Sequence, residues 1–334
     1  MDRIKVGVVG LGWVTQVFHV PAMLKLKEAE LVAVCDKDRG KARLVGEKIG
    51  VKRVYYDIRQ MLQDEEMDAL IIATPTDAHV ETTLAALEAG KDVLVEKPIA
   101  RTWSEAVEIA RAGKEAKRKV MVGMNHRFRP DTMILKSFVQ ANELGKVYFT
   151  RAGWLRKRVS DAAWPVQKEK AGGGVMLDLG IVMLDLCLWM LNYPEVKRVS
   201  ADVFKHRTKS VEDTALVSIT LKDASRIHFE VSWTMSLDDD VYFCHLFGPE
   251  GSASVNPLRI HKDLNGTVAN LAPTKQEPPQ TYLRRSYENE LRHFIGAVQN
   301  RHPVISTADD AVQRMKIVEA IYKSARQGKE VALS

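Results

Sequence analysis

Over the first third of the chain, short β-branched and apolar runs alternate with longer segments whose apolar positions recur every three or four residues. The runs are Ile4 to Val9, Leu31 to Val34, Ala69 to Ala73, Asp92 to Val95 and Val120 to Gly123. That rhythm predicts βαβ units on a parallel sheet. Between the last two runs, Thr102-Trp103-Ser104-Glu105 reads as a capping box, followed by Ala106, Ile109, Ala110 and Gly113 as one stripe, which predicts a helix over about 103 to 117. Asp77 stands where it can cap another helix, whose Val80, Leu84 and Leu87 face inward. Gly90 sits where that helix needs a left-handed terminus.

After about residue 124 the pattern changes. It predicts a helix near 131 to 141, a strand at Val147 to Trp154 and a long apolar helix near 175 to 191. Strands follow at Val199 to Phe204, Ala215 to Leu221, Arg226 to Trp233, Val241 to Phe247 and Ser252 to Val255, with turns such as Lys222-Asp223 between them. Strands in succession predict a mostly antiparallel sheet. Two helices close the chain, one with the stripe Tyr287, Leu291, Phe294, Ile295, Val298 and one with Val312, Met315, Ile317, Ile321. The expected fold is α/β: a doubly wound parallel sheet over residues 1–123, then an α+β domain over 124–334 built on a large, mostly antiparallel open sheet. An open sheet of that kind invites self-association, so a homodimer or homotetramer through it is expected.

With 334 residues and 46% apolar content, the chain can fill two cores. The excess of 49 Lys and Arg over 43 Asp and Glu, a net +6, suits an anionic ligand such as a dinucleotide or an acidic sugar. The densest basic groups, Arg151, Arg156, Lys157, Arg158 and later Arg284, Arg285, lack helix-turn-helix or zinc-finger spacing, so no nucleic-acid partner is expected. Cys35, Cys187 and Cys244 are far apart in apolar sequence, which suggests neither a disulfide framework nor a metal site and suits a reducing cytoplasm. Met1-Asp2-Arg3 leads straight into the first strand, and no apolar stretch reaches ~18 residues, so neither a signal peptide nor a membrane partner is expected.

Gly10-Leu11-Gly12-Trp13-Val14-Thr15 follows the first strand and opens a helix, and Asp36 ends the second strand. A pyrophosphate needs this arrangement: a glycine for the tight turn, a second for close backbone approach, and helix N–H groups aimed at the phosphates. Asp36 can accept the hydroxyls of the adenine ribose and would repel a 2′-phosphate, which favours NAD; Lys37 beside it softens that preference and leaves NADP open. Glu96-Lys97-Pro98 ends the Asp92 strand at the carboxyl edge where such sheets bind ligands. Lys97 there is either a solvated loop lysine or an acid, base or carbonyl polariser. Gly172-Gly173-Gly174 leads into an apolar helix, and its glycines allow backbone to approach a ligand closely. On that helix Asp178, Val182 and Asp185 share one face. Asp178, amid apolar neighbours, either caps locally or addresses a substrate hydroxyl.

Taken in order, the Gly-x-Gly turn, Ala73-Thr74-Pro75-Thr76 with His79, Glu96-Lys97-Pro98, Asn125-His126-Arg127-Phe128, the triple glycine with Asp178, Glu212-Asp213-Thr214 and Gly248-Pro249-Glu250-Gly251-Ser252 resemble the Gfo/Idh/MocA family over nearly the whole chain. The resemblance implies an N-terminal Rossmann domain and hydride transfer between NAD(P) and a sugar, cyclitol or related alcohol. It also implies cofactor contacts from Gly10, Gly12, Trp13, Val14, Asp36, Lys37, Thr74, Pro75, His79, Glu96, Lys97 and Asn125. Substrate contacts are implied for Arg127, Trp164, Asp178 and Val182, with Lys97 and Asp178 as the catalytic pair. Trp154 and Trp164 precede the triple glycine, where the family covers its active site.

One position departs from the family pattern. Its dehydrogenases show Asp-x-Gly-x-His, and this chain reads Asp178-Leu179-Gly180-Ile181-Val182. Valine exchanges no proton, and general acid–base help is worth ~10² to 10⁴ in rate. Three accounts remain open: Lys97 acts as base; another group such as His126, Asp185 or a later Tyr or His takes over; or the chain binds NAD and ligand without turnover, as a regulator or sensor.

Overall fold

The computed structural model describes residues 3–63, 66–156 and 164–333. The chain forms two compact units, Met1–Asn125 with Tyr287–Val312, and His126–Ser286 with Gln313–Ser334. The segment Tyr287–Val312, which the sequence pattern leaves with the second half, packs with the first.

The first unit holds β1 (Ile4–Val9), β2 (Ala29–Cys35), β3 (Arg53–Tyr55), β4 (Ala69–Ile72), β5 (Asp92–Glu96) and β6 (Val120–Gly123) in the order β3-β2-β1-β4-β5-β6. Every pairing is parallel. Leu70, Ile71 and Ile72 are wholly buried, as strands covered on both faces require. The chain winds outward through β2 and β3 and returns on the other side of β1, so the winding reverses between β1 and β4. Ligands of such sheets bind at the carboxyl ends of the strands flanking that reversal. The Trp103–Glu115 helix starts with both bonds of the Thr102/Glu105 capping box, and Gly90 takes φ 71°. Asp77 does not cap: it lies in a 3₁₀ turn, Thr76–Ala78, and the His79–Glu88 helix grows from that turn with no side-chain cap.

The second unit is built on nine strands: β7 (Phe149–Leu155), β8 (Val196–Phe204), β9 (Thr214–Leu221), β10 (Arg226–Ser232), β11 (Val241–Gly248), β12 (Gly251–Val255), β13 (Arg259–Leu264), β14 (Thr267–Asn270) and β15 (Val331–Ala332). Their order is β14-β13-β12-β11-β7-β10-β9-β8-β15. The sheet is mostly antiparallel; β7 sits centrally and pairs parallel with β10 and antiparallel with β11. Alternate residues on one face, among them Val217, Ile219, Phe229, Val231, Cys244 and Leu246, are buried. The Ile181–Met190 helix packs against β7, β10 and β11, with every residue but Trp189 buried. The helical run Lys168–Met190 is long and apolar enough to cross a membrane, contrary to the expectation from the bare sequence. Within its most apolar window 89% of the residues are buried, as in the core helix of a folded protein.

Candidate active site

In the first unit, the chain leaves β1 through Gly10 at φ 88°, where an added Cβ would lie 2.5 Å from the Ala73 carbonyl oxygen. Only glycine fits that turn. At Gly12 an added Cβ would meet nothing within 4 Å, so the protein's own packing does not ask for glycine there and the space above the backbone is open. Thr15, in place of a third glycine, is buried and donates its hydroxyl to the Gly10 carbonyl at 2.6 Å. Val14 leads into a π-helical turn, Thr15–His19, and the exposed Trp13 ring meets Phe18 edge-on at 5.4 Å.

At the end of β2, Asp36 accepts the Leu11 N–H at 2.8 Å and the Asp38 N–H at 2.9 Å, while Lys41 Nζ lies 3.3 and 3.2 Å from its two oxygens. The carboxylate therefore braces the Gly10–Val14 turn itself. Lys37 beside it is exposed.

Beyond β4, Thr74 and Pro75 precede the 3₁₀ turn, and the buried Thr74 hydroxyl has no hydrogen-bond partner among the described residues. His79 is buried and ties this loop to the next: Nδ1 lies 2.8 Å from the Pro98 carbonyl and Nε2 2.9 Å from that of Thr74. Only a doubly protonated ring would donate to both, and burial works against that charge, lowering the His79 pKa despite the two carbonyls. At the end of β5, Glu96 Oε1 accepts from His19 Nε2 at 2.7 Å and Oε2 from the Lys97 N–H at 3.1 Å. Burial alone would raise Glu96, but the bond and charge of His19, with Lys97 beside it, hold its pKa below the ordinary value. The Lys97–Pro98 peptide is cis. Asn125, past the end of β6, is buried at the start of a 3₁₀ turn.

In the second unit, the triple glycine answers to the protein rather than to a ligand. A Cβ at Gly174 would lie 1.9 Å from the Glu212 carbonyl oxygen, and one at Gly173 would lie 2.1 Å from the Tyr322 hydroxyl. Glu212 Oε1 in turn accepts from Gly174 N–H, Met176 N–H and Tyr322 O–H at 2.9, 3.0 and 2.8 Å. The turn so fixed opens into a second π-helical turn, Met176–Gly180, carrying Asp178. Asp178, a third exposed, accepts from Trp233 Nε1 at 3.0 Å and pairs with Arg156 Nη2 at 3.5 Å. Arg156 lies over the Trp154 ring at 5.2 Å. Lys157 and Arg158 lie outside the described residues. Trp164 is half-buried in a 3₁₀ turn.

Val182 is 4% exposed, on the buried side of the core helix. Arg127 is fully buried and gives its guanidinium to Asp185 and Tyr193. Asp185 is equally committed, to Arg127, Arg314 and Tyr193, and is held at about 2 by the two guanidiniums against the effect of burial. The structure thereby removes Asp185 from the stand-ins for the absent histidine. His126 Nδ1 lies 3.0 Å from the Tyr242 hydroxyl, beside Trp154. Burial pushes the Tyr242 phenol up.

What sequence pattern does not give is the pairing across long separations: His19 with Glu96, Arg156 and Trp233 with Asp178, and Tyr322 with Glu212. Glu212 carries a local signal in the Glu212-Asp213-Thr214 triplet, whose Asp213 holds a turn by accepting the N–H groups of His206, Arg207 and Thr208.

Comparison with known proteins places the chain in a family. The model of an oxidoreductase family with an NAD-binding Rossmann fold matches residues 4–124, and that of the oxidoreductase family's C-terminal alpha/beta domain matches residues 136–333. D-glucoside 3-dehydrogenase of Escherichia coli (strain K12) is 31% identical over 99% of this chain and 97% of its own. The scyllo-inositol 2-dehydrogenase (NAD(+)) of Bacillus subtilis (strain 168) is 29% identical over 99% and 96%. GenD2 from gentamicin A biosynthesis, crystallised in complex with NAD, is 25% identical with a TM-score of 0.88, over 100% of this chain and 97% of its own. A switch-point glycine turn, a six-stranded parallel sheet and both family domains, matched nearly end to end, make this chain an NAD-binding oxidoreductase of the Gfo/Idh/MocA family.

Proposed function

We propose that the protein is an NAD(H)-dependent dehydrogenase that interconverts an alcohol and a ketone on a sugar, cyclitol or sugar-acid-like substrate. The observation that carries this reading is the crevice of the first unit. Open space over Gly12 suits a pyrophosphate, the buried Thr74 hydroxyl has no partner among the described residues, and Lys97 follows β5 on the same carboxyl edge. NAD supplies the hydride acceptor. Gly10, Gly12, Trp13 and Val14 would cradle its phosphates, and Asp36 and Lys37 would hold the adenosine. Thr74, Pro75 and Asn125 would flank the nicotinamide half, with His79 and Glu96 fixing the loops that carry them. Lys97 would polarise the reacting oxygen and take up its proton as hydride leaves the same carbon.

In the second unit, Asp178 would orient the substrate by accepting its hydroxyls. Trp164 would offer a flat apolar face to a sugar ring, Val182 would line the pocket, and Arg127 would act from within the core by holding its turn in place. The sugar and cyclitol dehydrogenases named above support the substrate class. Three free, buried cysteines suit a reducing, cytoplasmic setting. Exposed Phe204, Leu216 and Val241 on strands of the nine-stranded sheet support self-association through it.

A second reading, a non-catalytic NAD-binding regulator, is favoured by one observation, the buried Val182 where the family carries a histidine. The deciding experiment follows NADH formation or consumption over a panel of sugars, inositols, sugar acids and their keto forms for wild type, Lys97→Ala and Val182→His. Turnover in wild type that vanishes in Lys97→Ala supports the dehydrogenase. A silent wild type that Val182→His awakens replaces it with the regulator.

A further inference from the structure

Arg314 engages only one nitrogen of its guanidinium. The residue lies on the Ala308–Gln327 helix, fully buried, and its Nη1 donates to Asp185 Oδ1 at 2.6 Å and to the Tyr193 hydroxyl at 2.5 Å. The side edge of the same group, Nε and Nη2, presents two parallel N–H groups in one plane. Both atoms are buried, and neither has a hydrogen-bond partner among the described residues. Arg127 shows what that edge does when it is filled: the same two atoms grip Asp185, Nε to Oδ2 at 2.8 Å and Nη2 to Oδ1 at 2.6 Å. A guanidinium fork matches an anion in this way. Buried polar groups are normally bonded, and a buried charge costs most where its donors lack an acceptor.

The carboxylate that Arg314 touches is already in use. Asp185 pairs with Arg314 and with the whole fork of Arg127. Lys136, also buried, brings another cation to the same core. Its ammonium reaches the Trp189 and Met190 carbonyls and Asn192 Oδ1 at 2.6, 3.3 and 2.7 Å, all of them neutral oxygens. Burial first, and then the charge of Arg127, lower the Lys136 pKa to about 8. Arg314 and Lys136 thus carry two positive charges into this core, and the one carboxylate that either of them bonds is held by Arg127 as well.

We propose that the Nε–Nη2 edge of Arg314 binds a small monovalent anion of the halide class, chloride, enclosed in the core of the second unit. Complete burial of the side chain selects a single-atom ion over a sugar acid or a phosphate. The ion gives the fork its acceptor and offsets a buried guanidinium, so it serves the stability of the core, whatever the substrate of the protein. The test uses the full chain. Thermal melts are run at constant ionic strength while sodium methanesulfonate is replaced by sodium chloride, for wild type and for Arg314→Lys, which keeps a cation on Asp185 and removes the fork. Wild type should gain about 2 °C or more, with saturation, and Arg314→Lys less than about half of that. Wild-type crystals grown without halide and soaked in sodium bromide should show an anomalous peak within hydrogen-bonding reach of both Nε and Nη2. No bromide peak at the fork, or a water in its place, overturns the inference whatever the melts show. A peak at the fork without any chloride-dependent gain means binding at crystal concentration only and overturns it too, as does a gain that Arg314→Lys retains in full. Should Arg314→Lys fail to fold, the wild-type melts and bromide map decide alone.

Discussion

Arg127 and Asp185 meet through two hydrogen bonds, Nε to Oδ2 at 2.8 Å and Nη2 to Oδ1 at 2.6 Å, with neither side chain more than 3% exposed. Arg314 adds a third at 2.6 Å. Removing the carboxylate charge leaves two buried guanidiniums facing each other, and breaking a buried pair of this kind costs ~3 to 5 kcal/mol. Asp185→Asn should therefore lower the melting temperature sharply. The folded pKa of about 2 lies below that of the unfolded chain, so the stabilisation is complete above the unfolded value, ~3.9, and is lost as pH falls towards 2. Between those limits the melting temperature should fall with acid in wild type and change less in Asp185→Asn; equal melting temperatures throughout would sink the argument.

Glu290 should behave in the opposite sense. It is fully buried, neither carboxyl oxygen has a hydrogen-bond partner among the described residues, and burial together with the charge of Glu96 pushes its pKa well up. A carboxyl that holds its proton more tightly folded than unfolded stabilises most below its unfolded pKa, ~4.3, and costs stability as pH rises towards the folded value. Glu290→Gln keeps the shape without the titration. Chemical denaturation should find it more stable than wild type near neutral pH, by ~1.4 kcal/mol per unit of raised pKa, with the gap closing towards pH ~4. A gap that does not change with pH would mean that Glu290 does not titrate as described.

The two glycine motifs should part company under substitution. At Gly174 an added Cβ meets the Glu212 backbone at 1.9 Å, which neither side can yield cheaply; at Gly12 it meets nothing. Gly174→Ala is expected to lose ~3 kcal/mol or more of stability, or to fail to fold. Gly12→Ala should melt within ~0.5 kcal/mol of wild type yet bind NADH at least about tenfold more weakly, because its methyl occupies the space proposed for the phosphates. Thermal melts and NADH titration on both variants check this. Undiminished NADH affinity in Gly12→Ala would put the pyrophosphate elsewhere.

The capping box at Thr102 supplies a smaller, local check. Its hydroxyl accepts the Glu105 N–H at 3.2 Å while Glu105 accepts the Thr102 N–H at 3.2 Å. Thr102→Ala should cost ~1 kcal/mol in denaturant midpoint experiments, and Thr102→Ser almost nothing.

What could be foreseen from the chain divides along physical lines. The Trp103–Glu115 helix was legible because its start signal, stripe and length all lie within a few residues of one another. β3 was not: Arg53-Val54-Tyr55 offers three residues and no alternation, and it exists because β2 offers an edge. β14, with four residues, and β15, with two, are likewise too short to show alternation, and the pairing partner decides them. At the candidate site, Gly10, Asp36 and Lys97 announce themselves by position after a strand. The neutralisation of Asp36 by Lys41 does not, since a lysine five residues on reads as a helix surface charge until its ammonium is located. For the same reason the triple glycine looked like a ligand approach, when its tight neighbours are Glu212 and Tyr322, far along the chain.

The first unit takes two stretches far apart in the chain, Met1–Asn125 and Tyr287–Val312. On a ribosome this inverts the usual order of assembly. The parallel sheet can be in place early, but the helical segment that completes its unit is synthesised only after every strand from β7 to β14. At ~5 to 20 residues per second that interval runs to roughly ten seconds or more, during which the nascent N-terminal half must wait, unfinished, for its own last piece.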